Sequence, residues 1–162
     1  MCACFGTPKS ILHSSFLFFF FFFSLFSFLV WTSPLRQEVG HPPNDSISSL
    51  SWSPTAPFLA GTSWNQEVRI WEVAQNGDSR PHLLYKHAAP VLDCVWSHTG
   101  DQVFSAGCDN KVMCQDLRAN KLFQVAQHDK PIRRVKWIKE FPGLVTGGWD
   151  NRVSFWDPRQ PK

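Results

Sequence analysis

The sequence predicts an all-β fold made of three copies of one antiparallel unit, and three observations carry that reading. Landmarks recur in step. An apolar residue stands at Ile47, Val91 and Ile132, and a tryptophan follows five residues on at Trp52, Trp96 and Trp137. A turn comes at Asn65, Asp109 and Asp150, with a valine beyond it at Val68, Val112 and Val153. Each set is spaced by 44 and then 41 residues. The segments between landmarks are short, β-rich and bounded by turn residues. Finally, nothing after residue 39 carries the 3.6-residue apolar period of a helix.

Taken in order, Ile47–Trp52, Val91–Trp96 and residues 135–138 read as first strands, and residues 103–105 and 144–146 begin second strands. Turn residues punctuate them at Asn76 with Gly77, at Thr99, Gly100 and Asp101, at Asp109 with Asn110, and at Asp150 with Asn151. A period of about 40–45 residues holding four strands is that of a WD40 blade. The expected architecture is therefore a WD40 β-propeller, with repeats at about 43–84, 85–125 and 126–162. The third repeat is the clearest: His128 opens it and VTGGWDNRVSFWD closes it at Trp156 and Asp157. The second has His87 and FSAGCDNKVMCQD, with Gln115 and Asp116 where Trp-Asp is usual. The first has AGTSWNQEVRIWE, closing on Trp71 and Glu72, with no His before it.

Residues 1–36 belong to a different composition and are expected to stand apart from the globular part at 37–162. They hold ten of the fifteen Phe and almost no charge. Residues 11–31 are roughly long enough to cross a bilayer, which takes about 20 apolar residues, and Lys9 before them suits a signal peptide. Yet no small-residue cleavage site follows cleanly, and no Lys/Arg cluster flanks the run. Phe, Leu, Ser and Pro share pyrimidine-rich codons, so the tract also reads as intronic or wrongly assigned coding sequence joined to a truncated gene.

The net charge of +3 and pI near 8.7 fall short of the clustered basic excess of a dedicated nucleic-acid module. Direct RNA contact stays open. Five scattered cysteines, Cys2, Cys4, Cys94, Cys108 and Cys114, form neither a disulfide framework nor a zinc spacing. A reduced nuclear or cytosolic protein with buried thiols is expected. No phosphate-cradling loop, nucleophile elbow or metalloprotease motif is present. No enzyme, metal or cofactor is implied.

His128, Thr146, Asp150 and Trp156 include a hydroxyl, an imidazole and a carboxylate, the makings of a catalytic cluster. In WD repeats these residue types instead form a chain from Asp to His to hydroxyl to Trp indole, which satisfies buried polar groups inside a blade. His87, Ser105 and Asp109 are the same set in the second repeat, without the Trp. The candidates for partner binding are Trp64, Cys108 and Trp149, each just before the turn Asn or Asp. Aromatic anchors at such a turn dominate interface energetics, although an indole that merely covers its own turn leaves the same trace. A basic stretch, KPIRRVKWIK at residues 130–139, offers Lys130, Arg133, Arg134 and Lys136. It suits phosphate contact or a strand edge blunted by charge.

The ordered set DSISSLSWSP, TSWNQEVRIWEV, HAAPVLDCVWS, DQVFSAGCDNKV, AQHDKPIRRVKWIK and VTGGWDNRVSFWDPR resembles the mRNA export factor family, the Gle-two/Rae type of nuclear-pore WD-repeat protein. The resemblance covers about residues 43–162, which would be the first three blades of a seven-bladed propeller. It implies a scaffold that binds a nucleoporin through a GLEBS-type peptide and supports RNA export, in the nucleus, at the nuclear envelope and pore, and in the cytoplasm. A close relative is the mitotic spindle checkpoint scaffold that binds Bub-type kinases. A membrane-anchored propeller fragment is a third reading, should the Phe-rich segment be an anchor. Three blades fall short of the about 4–8 that close a propeller. The family's closing N-terminal strand has the Phe-rich segment in its place, so the chain is expected to be unstable alone.

Overall fold

A computed structural model describes residues 37–159. The expected features of residues 1–36, anchor, signal or intronic sequence, lie outside the described residues. The described part is all-β, with three antiparallel sheets of four, four and three strands. The first sheet runs β1 (Ile47–Trp52), β2 (Phe58–Ser63), β3 (Glu67–Val73) and β4 (Ser79–Lys86) in chain order. The second repeats the pattern with β5 (Val91–Trp96), β6 (Gln102–Gly107), β7 (Lys111–Asp116) and β8 (Lys121–Gln127). The third holds β9 (Ile132–Ile138), β10 (Gly143–Gly148) and β11 (Val153–Trp156). These are three blades of a β-propeller.

Two of the expected first strands match to the residue, whereas β9 starts three residues before the expected 135. Pro131 and the run of Arg and Lys hide that start, because charges interrupt the apolar pattern while Ile132 and Val135 are fully buried. The sheets divide at residues 87–90 and 128–131, a little beyond the repeat boundaries expected near 85 and 126, so the fourth strand stays with its own blade.

Each first strand carries a bulge at the same place in the repeat, with Ser48, Leu92 and Arg133 skipped in the pairing. A bulge inserts one residue and switches the alternation of faces. That switch puts Ile47 on one face with Leu50 and Trp52, Val91 with Cys94 and Trp96, and Ile132 with Val135 and Trp137. Strict alternation would have split each trio.

The core lies between blades. Ile70 and Ala60 of blade 1 cluster with Cys94, Trp96 and Val103 of blade 2, and Val68 and Tyr85 with Val91. Between blades 2 and 3, Phe104, Val112 and Cys114 meet Ile132, Val135 and Leu144. Phe104 is fully buried and stacks on Trp137 at 5.4 Å. Polar links accompany this packing: the buried Asp93 accepts hydrogen bonds from Ser49 Oγ of blade 1 at 2.7 Å and from the Val135 N–H of blade 3 at 3.1 Å.

Candidate functional site

The β2–β3 turn and its counterparts are built the same way three times. The N–H of Trp64, Cys108 and Trp149 donates to the carbonyl of Ser46, Pro90 and Pro131 at 3.0, 2.8 and 2.9 Å. One residue on, the side chain of Asn65, Asp109 or Asp150 accepts from the N–H two residues later at 3.1, 3.2 and 3.1 Å. Gln66, Asn110 and Asn151 then take positive φ, at 74°, 66° and 62°; asparagine tolerates that region better than most side chains. These bonds define the turn backbone and leave the indoles of Trp64 and Trp149 exposed at equivalent corners of blades 1 and 3. Cys108 is half-buried between them in sequence order, and burial, with the Asp109 carboxylate beside it, raises its thiol above the ordinary value.

Behind two of these turns lie the polar chains. In blade 3, His128 Nδ1 meets Asp150 Oδ2 at 2.8 Å, His128 Nε2 meets Thr146 Oγ1 at 2.8 Å, and the Trp156 indole N–H donates to Thr146 Oγ1 at 2.7 Å. A carboxylate only accepts, so Nδ1 carries the proton and Nε2 accepts from the hydroxyl. Gly148 leaves room for this: a Cβ there would lie 2.7 Å from Asp150 Oδ1 and 2.9 Å from His128 Nδ1.

Blade 2 repeats the chain, with His87 bonded to Asp109 and to Ser105 at 2.8 Å each. Gln115 stands where Trp156 would be, and turns instead to the Asp116 carbonyl at 3.2 Å. The donor to Ser105 comes from the neighbouring blade, where Tyr85 Oη–H reaches its hydroxyl at 2.9 Å. Blade 1 abandons the chain. Gly61 occupies the hydroxyl position, Trp71 packs so that a Cβ on Gly61 would come within 2.8 Å of its ring, and its indole N–H donates to the Gly40 carbonyl at 2.8 Å.

Tyr85 and Asp93 are the polar residues missed by reading the sequence. Asp93 was findable, since Ser49, Asp93 and Arg134 share the 44 and 41 spacing. Tyr85 was not, because it lies on an outer strand and acts across a blade boundary.

All these groups are held in hydrogen bonds that suit structure. Burial pushes the thiols of Cys94 and Cys114 up to about 12, helped by Asp93 and Asp116 respectively. Burial also raises the Tyr85 phenol. For Asp109 and Asp150 burial acts upward too. In Asp109 the His87 hydrogen bond leads the groups that outweigh it; in Asp150 the Arg152 N–H leads, with His128 next. Both carboxyls end below the ordinary value. A depressed carboxyl stabilises the fold above the unfolded chain's value near 4 and loses that contribution as pH falls through the folded one. Urea midpoints are therefore expected to drop as pH falls from about 5 to about 2.5. A chain carrying Asp109→Asn and Asp150→Asn should show a shallower acid slope, and an unchanged slope would contradict the assignment.

Of the basic stretch, Lys130 lies in the β8–β9 connection, while Arg133, Arg134 and Lys136 are exposed along β9, which pairs only with β10 among the described strands. Arg134 approaches Asp93 Oδ1 at 3.7 Å. Among the described residues no group of three or more His, Cys, Asp or Glu is placed to hold a metal ion.

The family model for the WD domain, G-beta repeat, matches residues 32–72, 79–116 and 120–157. The chain is 43% identical over 129 residues to Protein Rae1 of Drosophila melanogaster, covering 76% of this chain and 37% of that protein. It is 42% identical over 126 residues to the Poly(A)+ RNA export protein of Schizosaccharomyces pombe, covering 76% and 36%. To the mRNA export factor of Danio rerio it is 48% identical over 111 residues, covering 66% and 30%. The chain thus spans between 30 and 37% of the length of these relatives.

Proposed function

The chain belongs to the WD domain, G-beta repeat family and, within it, to the mRNA export factors, and on that premise we propose that it is a non-catalytic scaffold for RNA export from the nucleus. Its partner in this reading is a GLEBS-type nucleoporin peptide, met at the nuclear pore. The observation that supports it most is the pair of exposed indoles, Trp64 and Trp149, at equivalent turns whose backbones are tied down by the same two hydrogen bonds. A rigid aromatic anchor binds without losing much side-chain freedom, which is why such residues dominate interfaces.

Catalysis is set aside on chemical grounds. The His, hydroxyl and carboxylate that would form a catalytic set are engaged inside the blades, with side chains of His87 and His128 almost wholly buried. An RNA contact through Lys130, Arg133 and Lys136 is the lesser reading, since these charges follow one strand and its approach. The export names of the relatives favour this reading over a checkpoint scaffold for Bub-type kinases.

Titrating the full chain with a nucleoporin GLEBS-type peptide, and in parallel with one from a Bub-type kinase, tests the reading. The nucleoporin peptide is expected to bind more tightly. Trp149→Ala should weaken it by about tenfold or more, a loss of about 1.4 kcal/mol. Unchanged affinity in that variant would remove the turn from the binding surface.

A further inference from the structure

Asn76 alone of the six asparagines is followed by glycine. It stands exposed in the turn between β3 and β4, apart from the polar chains and from the turns of Trp64 and Trp149. This pairing sets a backbone nitrogen beside a side-chain amide carbon, with no side chain to crowd the approach. After Asn44, Asn65, Asn110, Asn120 and Asn151 come Asp, Gln, Lys, Lys and Arg, whose side chains do crowd it.

The turn holds both reacting groups away from each other. The Ala74 N–H donates to the Asp78 carbonyl at 2.8 Å, and the Gly77 N–H to the Ala74 carbonyl at 2.9 Å. Gly77 takes φ 89°, a conformation that suits glycine. The Asn76 side chain points forward, as asparagine does in such turns. Its Oδ1 accepts from the Asp78 N–H at 3.1 Å, and its Nδ2 donates to Asp78 Oδ2 at 2.7 Å. Asp78 is itself held by Gln37 Nε2, which donates to Oδ1 at 2.6 Å.

We propose that Asn76 is a site of spontaneous deamidation, and that Asp78 is the positioning residue that restrains it. The Gly77 nitrogen loses its proton to water and attacks Asn76 Cγ. The Cγ–Nδ2 bond breaks, ammonia leaves with the proton, and a succinimide ring closes. Water then opens the ring at one carbonyl or the other, giving aspartate or isoaspartate. Only water is consumed and nothing is oxidised or reduced. Ring closure needs the Gly77 N–H freed from Ala74 and the Asn76 amide freed from Asp78. Either product puts a carboxylate where Nδ2 met Asp78 Oδ2, so an attraction becomes a repulsion. Isoaspartate also lengthens the main chain inside a closed turn, which loosens the hairpin end where Val73 pairs with Ser79.

The test ages the full chain at neutral pH, folded and in guanidinium chloride. Peptide mapping by mass spectrometry locates the product, and an isoaspartyl methyltransferase with labelled methyl donor detects isoaspartate. Product is expected first at Asn76 in both states, at least about tenfold more slowly in the folded chain, as the loss of ordinary hydrogen bonds requires. Asp78→Ala should cut that folded-to-unfolded ratio by about threefold or more. Asp78→Asn keeps an acceptor oxygen and should restore most of the restraint. Each variant is compared with its own unfolded rate, and circular dichroism checks its fold. Asn76→Gln, whose longer side chain does not close the five-membered ring, should abolish the product. In the aged chain, hydrogen exchange at Ala74 and Gly77 should quicken.

No product at Asn76 in the folded chain, or product appearing first at another asparagine, overturns the proposal. Equal rates in the folded and unfolded chain overturn the restraint, and so does an Asp78→Ala ratio equal to that of wild type. The wild-type comparison stands without any variant.

Discussion

Phe104→Ala is expected to lower unfolding stability by about 3–5 kcal/mol, the cost of truncating a fully buried aromatic residue and leaving a cavity. Phe104 lies on β6, between blades 2 and 3, with its ring against Trp137 and its surroundings filled by Ile132, Val135 and Leu144. Strands on both sides hold the backbone, so the site has little freedom to collapse. A loss of this size is a large share of the 5–15 kcal/mol that holds a typical domain together. Phe141→Ala, at an exposed position, should stay within about 0.5 kcal/mol. Urea denaturation followed by tryptophan fluorescence measures both. A loss below about 1 kcal/mol for Phe104→Ala would mean that the blades do not pack as described.

Thr146→Val is the second large effect, and it isolates a hydrogen-bond chain from packing. Valine keeps nearly the same volume but removes the hydroxyl that His128 Nε2 accepts from and that the Trp156 indole donates to. Leaving buried polar groups without these partners costs about 1–3 kcal/mol each, so a total of about 2–4 kcal/mol is expected. Thr146→Ser should recover most of it, because it restores the hydroxyl and loses only a methyl group. The matched change in blade 2, Ser105→Ala, removes the partner of both His87 and Tyr85, and should therefore also loosen blade 1 from blade 2. Hydrogen exchange at β4 and β5 would register that; equal exchange in both chains would show that Tyr85 contributes nothing across the boundary.

Much of the fold was legible because the blade is a local device repeated. The spacing of 44 and 41 carries the turn Asn or Asp, the positive-φ residue after it and the buried valine beyond, and each does its work within one hairpin. The members of the His–Asp–hydroxyl chains were legible for the same reason, since partners 18 and 22 residues apart belong to one repeat. The early start of β9 was not, because Arg133, Arg134 and Lys136 break the apolar pattern on which a strand is recognised.

By itself, then, the sequence determined the repeat, the order of strands within each blade, the turn chemistry and the turn positions of Trp64, Cys108 and Trp149. Those depend on short-range backbone preference and on apolar spacing, both of which are written along the chain. Only the tertiary structure decided how one blade completes the next: Tyr85 standing in for a missing indole, Asp93 joining three first strands, and a bulge turning Ile47, Leu50 and Trp52 onto a common face. Such contacts join residues of different blades, and they exist because burying one blade's face requires a neighbour's surface of matching shape.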